Sequence, residues 1–141
     1  MNKSASLNVE KFLRLKIKKN FPNHSIVGEE YSDTIKKSDY KWIIDPIDGT
    51  KNLIMGLPTW SNLIGLYKND KSILSFANFP ILNKYYLAYG SKTFLYEKSF
   101  SKRIYSNKKV GFKNAKISVN TFRTLKNKKI FKFLKSYKGF F

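Results

Sequence analysis

The sequence predicts an α+β fold in which helices cover an antiparallel sheet. Three observations lead there: an amino-terminal stretch with apolar residues at helical spacing, four short β-favouring runs divided by tight turns, and a second helically patterned stretch near the carboxy terminus. Leu7 to Asn20 sets Val9, Phe12, Leu13 and Ile17 on one stripe, with Lys11, Lys16, Lys18 and Lys19 mostly off it. Ser4 or Ser6 is the expected cap, and Phe21-Pro22-Asn23 stops the helix. Ser25 to Gly28 reads as a short strand that delivers Glu29 and Glu30 at its end. Residues 31–40 read as a polar surface loop, and Tyr40 to Asp45 as a second strand. Pro46 has no N–H for a sheet ladder, so the chain is expected to turn there. A short helical turn from Thr50 to Ile54, ended by Gly56-Leu57-Pro58, should follow.

Beyond it, an antiparallel meander is expected over 60–67, 72–79, 85–90 and 93–97. Lys68-Asn69-Asp70-Lys71 and Gly90-Ser91-Lys92 supply its turns. The alternating Tyr and Phe residues of 79–100 fit sheet packing better than a base-stacking platform. Ile117 to Asn120 reads as a further strand. Lys126 to Tyr137, with Ile130, Phe131, Phe133 and Leu134 on a basic background, reads as an amphipathic helix.

With 141 residues, of which 42% are hydrophobic, the chain can build one domain with a core, and residues 1–141 are taken as one. The absence of cysteine excludes disulfides and thiolate zinc sites. No apolar run approaches the ~20 residues needed to span a bilayer, so a cytoplasmic protein without a membrane partner is expected. A formal charge of +19 points toward nucleic acid or an anionic surface. The lysines, however, are spread along the whole chain, and arginine occurs only at Arg14, Arg103 and Arg123. Phosphate and base readers concentrate arginine and aromatics on one face, so nucleic acid is not the expected partner. The charge does favour small anionic substrates by steering.

The most informative stretch runs from Trp42 to Leu53, W-I-I-D-P-I-D-G-T-K-N-L. Asp45 and Asp48 flank Pro46-Ile47, and Gly49-Thr50 follow where a turn enters a helix. Free backbone N–H groups in such a turn suit a phosphate. Two carboxylates beside that anion cradle would repel the substrate unless hard cations lay between, which points to Mg²⁺. A strand-end Asp45 and an Asx cap at Asp48 are common without any metal. Taken singly, each aspartate is better read that way; with Glu29 upstream paired to them, the metal reading is preferred.

D-P-I-D-G-T preceded by W-I-I resembles the first metal-binding motif of the inositol monophosphatase superfamily, Mg²⁺-dependent, lithium-sensitive phosphomonoesterases. Phe21-Pro22-Asn23-His24-Ser25-Ile26-Val27-Gly28-Glu29-Glu30 resembles the same family's F-P-x-H-x-I-x-G-E-E segment. The resemblance implies the N-terminal part of a layered α/β/α/β/α fold. It also implies that Glu29 and Asp45 hold a first Mg²⁺ with the main-chain carbonyl of Ile47. Asp45 would bridge to a second ion that Asp48 also holds. Gly49 and Thr50 would bind the substrate phosphate through their amides, and the Thr50 hydroxyl would orient the attacking water. Thr50, Glu29 and Asp48 would thus be the catalytic residues.

The implied substrate is a small phosphate monoester, and family members are often homodimers. Gly56-Leu57-Pro58-Thr59-Trp60 and Asn78-Phe79-Pro80-Ile81-Leu82 resemble the histidinol-phosphatase branch more than inositol-specific members. Histidinol phosphate is therefore placed ahead of inositol monophosphate. Glu30 is expected to be solvated or to support a ligand, and His24 to be a turn residue satisfied by backbone.

Two departures from the family pattern bear on activity. Its T-x-A-D segment aligns with Lys3-Ser4-Ala5-Ser6, so a serine stands where an aspartate would help position the attacking water. Its later W-D-x-A motif has no counterpart before Phe141, nor is there an opening helix ahead of residue 3. The expectation is an incomplete phosphatase domain, active either alone or once supplied with a C-terminal half, with Phe131, Phe133, Phe140 and Phe141 as candidates for the surface facing that half. The alternative is a catalytically inactive fragment acting at most as a basic anion- or nucleic-acid-binding module.

Overall fold

Among the described residues, seven strands lie side by side in sequence order, and one long helix packs across a face of the sheet they form. The structure, a computed structural model, describes residues 2–107 and residue 111. Contacts divide the chain into one unit of residues 1–105 and another of residues 106–141; the elements below belong to the first. The strand expected at 117–120 and the helix expected at 126–137 fall outside the described residues, as do Phe131, Phe133, Phe140 and Phe141.

Helix α1 (Asn2–Asn20) leads into β1 (Ser25–Gly28), β2 (Tyr40–Asp48) and the short α2 (Thr50–Ile54). The meander then comprises β3 (Ser61–Lys68), β4 (Lys71–Phe79), β5 (Lys84–Tyr89), β6 (Lys92–Glu97) and β7 (Phe100–Ile104). A 3₁₀ turn at Pro80–Leu82 joins β4 to β5 and ends on Asn83 in the left-handed region. Every pairing is antiparallel except β1–β2, which is parallel. The sheet is therefore mixed, where an antiparallel one was expected, within the α+β class that was expected. β7 was not anticipated either: Phe-Ser-Lys-Arg-Ile is a mostly exposed basic edge without apolar alternation, and such edges resist further pairing.

The helix begins earlier than its periodicity suggested, so Ser4 and Ser6 lie inside it rather than capping it. Its inward face is Ser6, Glu10, Arg14 and Ile17, all buried. Phe12, placed on the apolar stripe by spacing, is 57% exposed and lies beneath the Lys16 ammonium. The inward positions go to a charged pair because that pair has partners in the loop after β1. Ile17 closes on Ile26 and Ile44, with Leu13 and Trp42 packed around them.

Residues 31–39 are stitched to β1 rather than free. Ile26 and Thr34 exchange two backbone hydrogen bonds of 2.8 Å, and the Ser25 hydroxyl accepts from the Lys36 amide at 2.9 Å. Gly28 lies so close to the helix that a Cβ there would collide with the Glu10 carboxylate and the Arg14 guanidinium. Gly28→Ala is thus expected to destabilise the protein by about 1–3 kcal/mol, the usual range for an overpacked interior. Urea denaturation measures this; an unchanged midpoint would contradict the close approach of α1 and β1.

Candidate metal centre

Parallel pairing of β1 with β2 places Gly28 opposite Ile44, so the next residues, Glu29 and Asp45, emerge level with each other. β2 does not stop at Asp45. It runs through Pro46 to Asp48, which corrects the expectation of a turn at Pro46. Asp45 pairs with Leu63 and Asp48 with Ser61, so β2 carries one extra residue there, a bulge. The β1 pairing has already ended at Ile44, so no ladder bond requires a Pro46 N–H. The bulge turns the D-P-I-D run while keeping it on the sheet. The Pro46 carbonyl accepts from Asn62 Nδ2 at 2.7 Å, and Asn78 Nδ2 donates to Asn62 Oδ1 at 2.9 Å.

Electrostatics join the carboxylates. Asp45 is half-buried, and its carboxyl is pushed up from 3.8 to about 6. Burial is the main cause, followed by the negative charges of Glu29 and Asp48. The Ile47 amide, 3.1 Å from Asp45 Oδ1, works in the opposite direction. Glu29 and Asp48 are themselves exposed. Among the described residues, no three His, Cys, Asp or Glu side chains are gathered into a ready ligand cage. The carboxylates are coupled without being closed up, as mutual repulsion requires, and Asp48 Oδ2 is additionally within 3.5 Å of the Ser61 hydroxyl.

Ile47 is buried, and its carbonyl accepts the Thr50 hydroxyl at 3.2 Å. Gly49 takes φ 83°, a left-handed conformation that favours glycine, and its carbonyl receives the Asn52 and Leu53 amides. A Cβ on Gly49 would lie 3.3 Å from the Thr59 carbonyl and 3.4 Å from Trp60 Cα. The Gly56–Trp60 segment therefore borders this turn, and Asn52 Nδ2 ties it down at the Thr59 carbonyl, 2.9 Å away. Asp45 also reaches a hollow of about 370 Å³ on the sheet face away from α1, lined by Ile43, Leu63, Gly65 and Ala77 among others. That hollow is mostly apolar and is poorly suited to a phosphate.

The donor set fits a hard cation. Glu29, Asp45 and Asp48 offer carboxylate oxygens and Ile47 a carbonyl, the ligand chemistry of Mg²⁺ or Mn²⁺ rather than of zinc or copper. The negative charges of Glu29 and Asp48, which add to burial in pushing the Asp45 carboxyl up, are what a cation would relieve.

His24 corrects another expectation. Its amide does bond the Phe21 carbonyl, but its ring is held by side chains. Nδ1 accepts from Trp42 Nε1 at 3.1 Å, and the ring stacks between Phe21 and Tyr40 at centroid distances of 5.0 and 4.7 Å. Glu30 contributes through its amide, which donates to Glu10 Oε2 at 2.8 Å.

Glu10, Arg14, Asn62 and Asn78 are supports that motif reading passed over. A signal for the first two was present: Glu10 is the sole acidic residue of α1 and stands four residues before one of only three arginines.

Comparison with known proteins places these residues in a family. Residues 3–141 match the profile of the inositol monophosphatase family. Over 70 residues the chain is 43% identical to a fructose-1,6-bisphosphatase/inositol-1-monophosphatase of Aquifex aeolicus, covering 50% of this chain and 26% of that protein. Over 84 residues it is 37% identical to a histidinol-phosphatase of Chlorobaculum parvum, covering 60% of this chain and 32% of that one. The chain therefore spans about a quarter to a third of the length of these relatives. A crystal structure of extragenic suppressor protein suhB from Bartonella henselae superposes with a TM-score of 0.64 at 28% identity, covering 67% of this chain and 40% of that one. A structure of inositol monophosphate-bound SaIMPase-II shares the fold over 96% of this chain and 51% of that one, with a TM-score of 0.77 at 23% identity. The chain belongs to the inositol monophosphatase family.

Proposed function

We propose that the chain acts as a Mg²⁺-dependent phosphomonoesterase on a small phosphate monoester, with histidinol phosphate ahead of inositol monophosphate. The observation that carries this reading is the coupling of Glu29, Asp45 and Asp48 beside the Gly49 turn. Glu29, Asp45, Asp48 and the Ile47 carbonyl would hold the cation. Bound there, Mg²⁺ supplies the positive charge that lets a phosphate approach the carboxylates and makes water a better nucleophile.

The chain's own groups do the rest. Gly49, lacking a Cβ, lets the backbone come close to phosphate oxygens, and the Gly49 and Thr50 amides donate to them. The Thr50 hydroxyl, which donates to the Ile47 carbonyl, would orient a water between the ligand set and the substrate. The segment 56–60, which borders Gly49, would contact the remainder of the substrate. The histidinol-phosphatase relative from Chlorobaculum parvum supports that substrate, and the Aquifex aeolicus relative supports the inositol phosphate.

Phosphate release by the full chain from histidinol phosphate and from inositol monophosphate tests this directly. Release is expected with Mg²⁺, to cease with EDTA, and to fall by about 10²-fold or more in Asp45→Asn. Undiminished turnover in EDTA would refute the metal mechanism.

A second expectation concerns stability without metal. The Asp45 carboxyl titrates near 6 in the folded chain and near 3.8 when unfolded. The folded state therefore holds this proton more tightly, and the contribution to stability falls as pH rises from about 4 through 6. In EDTA, Asp45→Asn is expected to melt higher than the native sequence at pH 7 but not at pH 4, because the amide keeps the acceptor for the Ile47 N–H and removes the repulsion. Added Mg²⁺ should raise the melting temperature of the native sequence and not that of the variant. Equal melting at both pH values would count against the carboxylate coupling.

A further inference from the structure

We infer that Glu10, locked by Arg14, is a positioning residue that aims Glu29 at Asp45. The inference rests on the metal-site reading of Glu29. Glu10 has no exposure to water, yet it does not touch the carboxylate cluster. Its Oε2 accepts the Glu30 amide at 2.8 Å, and its Oε1 accepts the Tyr31 amide at 3.3 Å. The Arg14 guanidinium donates Nε to Glu10 Oε1 at 2.7 Å. Its other nitrogens reach the Tyr31 carbonyl at 3.1 Å and the Thr34 hydroxyl at 3.4 Å. On the other side of Glu29, Gly28 lies directly against the Glu10 carboxylate and Arg14. The backbone is thus fixed by Glu10 both before and after Glu29.

This arrangement answers a physical problem. The Glu29 side chain is exposed beside Asp45, whose carboxyl its charge pushes up, so repulsion drives it outward once both are ionised. With both carboxylates ionised no side-chain attraction between them holds Glu29 in place, whereas the backbone on either side of it is held by Glu10. A buried ion pair is a poor way to gain stability, since well-packed apolar residues commonly do as well or better. Fixing the direction of a neighbouring ligand is a role that apolar residues could not fill. Groups behind a metal's direct ligands act in this manner, and their loss typically costs ten- to a hundredfold in affinity.

Titration of the full chain with Mg²⁺ alone, followed by calorimetry, tests the inference. Glu10→Gln keeps the shape but removes the acceptor for one amide and the charge that holds Arg14. It is expected to weaken Mg²⁺ binding about tenfold or more. Combined with Glu29→Gln, it is expected to add nothing to the loss caused by Glu29→Gln alone, because Glu10 acts through Glu29. Native affinity in Glu10→Gln, or losses that multiply in the double variant, would overturn the inference.

A second measurement needs no variant, in case Glu10→Gln fails to fold. In the unsubstituted chain with EDTA, the Glu30 and Tyr31 amides are expected to be protected from hydrogen exchange. Exchange at the rate of an open loop would overturn the lock. Unchanged Mg²⁺ affinity in Glu29→Gln would overturn the metal-site reading and the purpose of the lock with it, whereas the amide protection reports on the lock alone.

Discussion

A carboxylate wholly removed from water is tolerable only when both of its oxygens are paired, and Glu10 meets that condition. Arg14 and two backbone amides surround it, and among the described residues no buried side-chain nitrogen or oxygen lacks a partner. From this one contact the placement of α1 follows. The helix must turn its polar stripe inward, Gly28 must lack a side chain, and the chain leaving β1 must pass within reach of the Glu10 oxygens. Ile17, Ile26 and Ile44 then form a small apolar cluster beside a polar one.

The opposite side of the proposed site depends on a different constraint, a proline inside a strand. β2 carries Pro46 at the point where its parallel partner has ended and its antiparallel partner is bulged. The bulge brings Asp45 and Asp48 within electrostatic range of each other, and it hands the Pro46 carbonyl to Asn62 and, through it, to Asn78. Rigidity of the D-P-I-D run thus comes from the meander. Glu29, in contrast, is positioned from the helix side. The proposed ligands are therefore held by two separate supports that meet at the ends of β1 and β2.

Much of this was legible in the residues. The strands of the meander announced themselves by β-branched and aromatic runs between Lys-Asn-Asp-Lys and Gly-Ser-Lys turns, and they fall within a residue of expectation at each end. Glu29, Asp45 and Asp48 could be named because two short motifs keep them in order. The helix face was misjudged because periodicity counts apolar residues, and here the inward positions are Ser6, Glu10 and Arg14. β7 escaped because an exposed edge strand has no apolar face to display. Pro46 was taken for a turn because the local rule against proline in a ladder holds only where both neighbours demand a hydrogen bond, and that depends on register. His24 was assigned to backbone because no local pattern shows that Trp42 and Tyr40, some eighteen residues later, arrive beside it.

The central proposal is that Glu29, Asp45 and Asp48 jointly hold divalent cations. Crystals of the full chain soaked with Mn²⁺ and measured at a wavelength where manganese scatters anomalously would address it most directly. The account predicts an anomalous peak in bonding contact with carboxylate oxygens of Glu29 and Asp45, with the Ile47 carbonyl and Asp48 around it. A peak elsewhere, or none while Glu29 points away from Asp45, would contradict it.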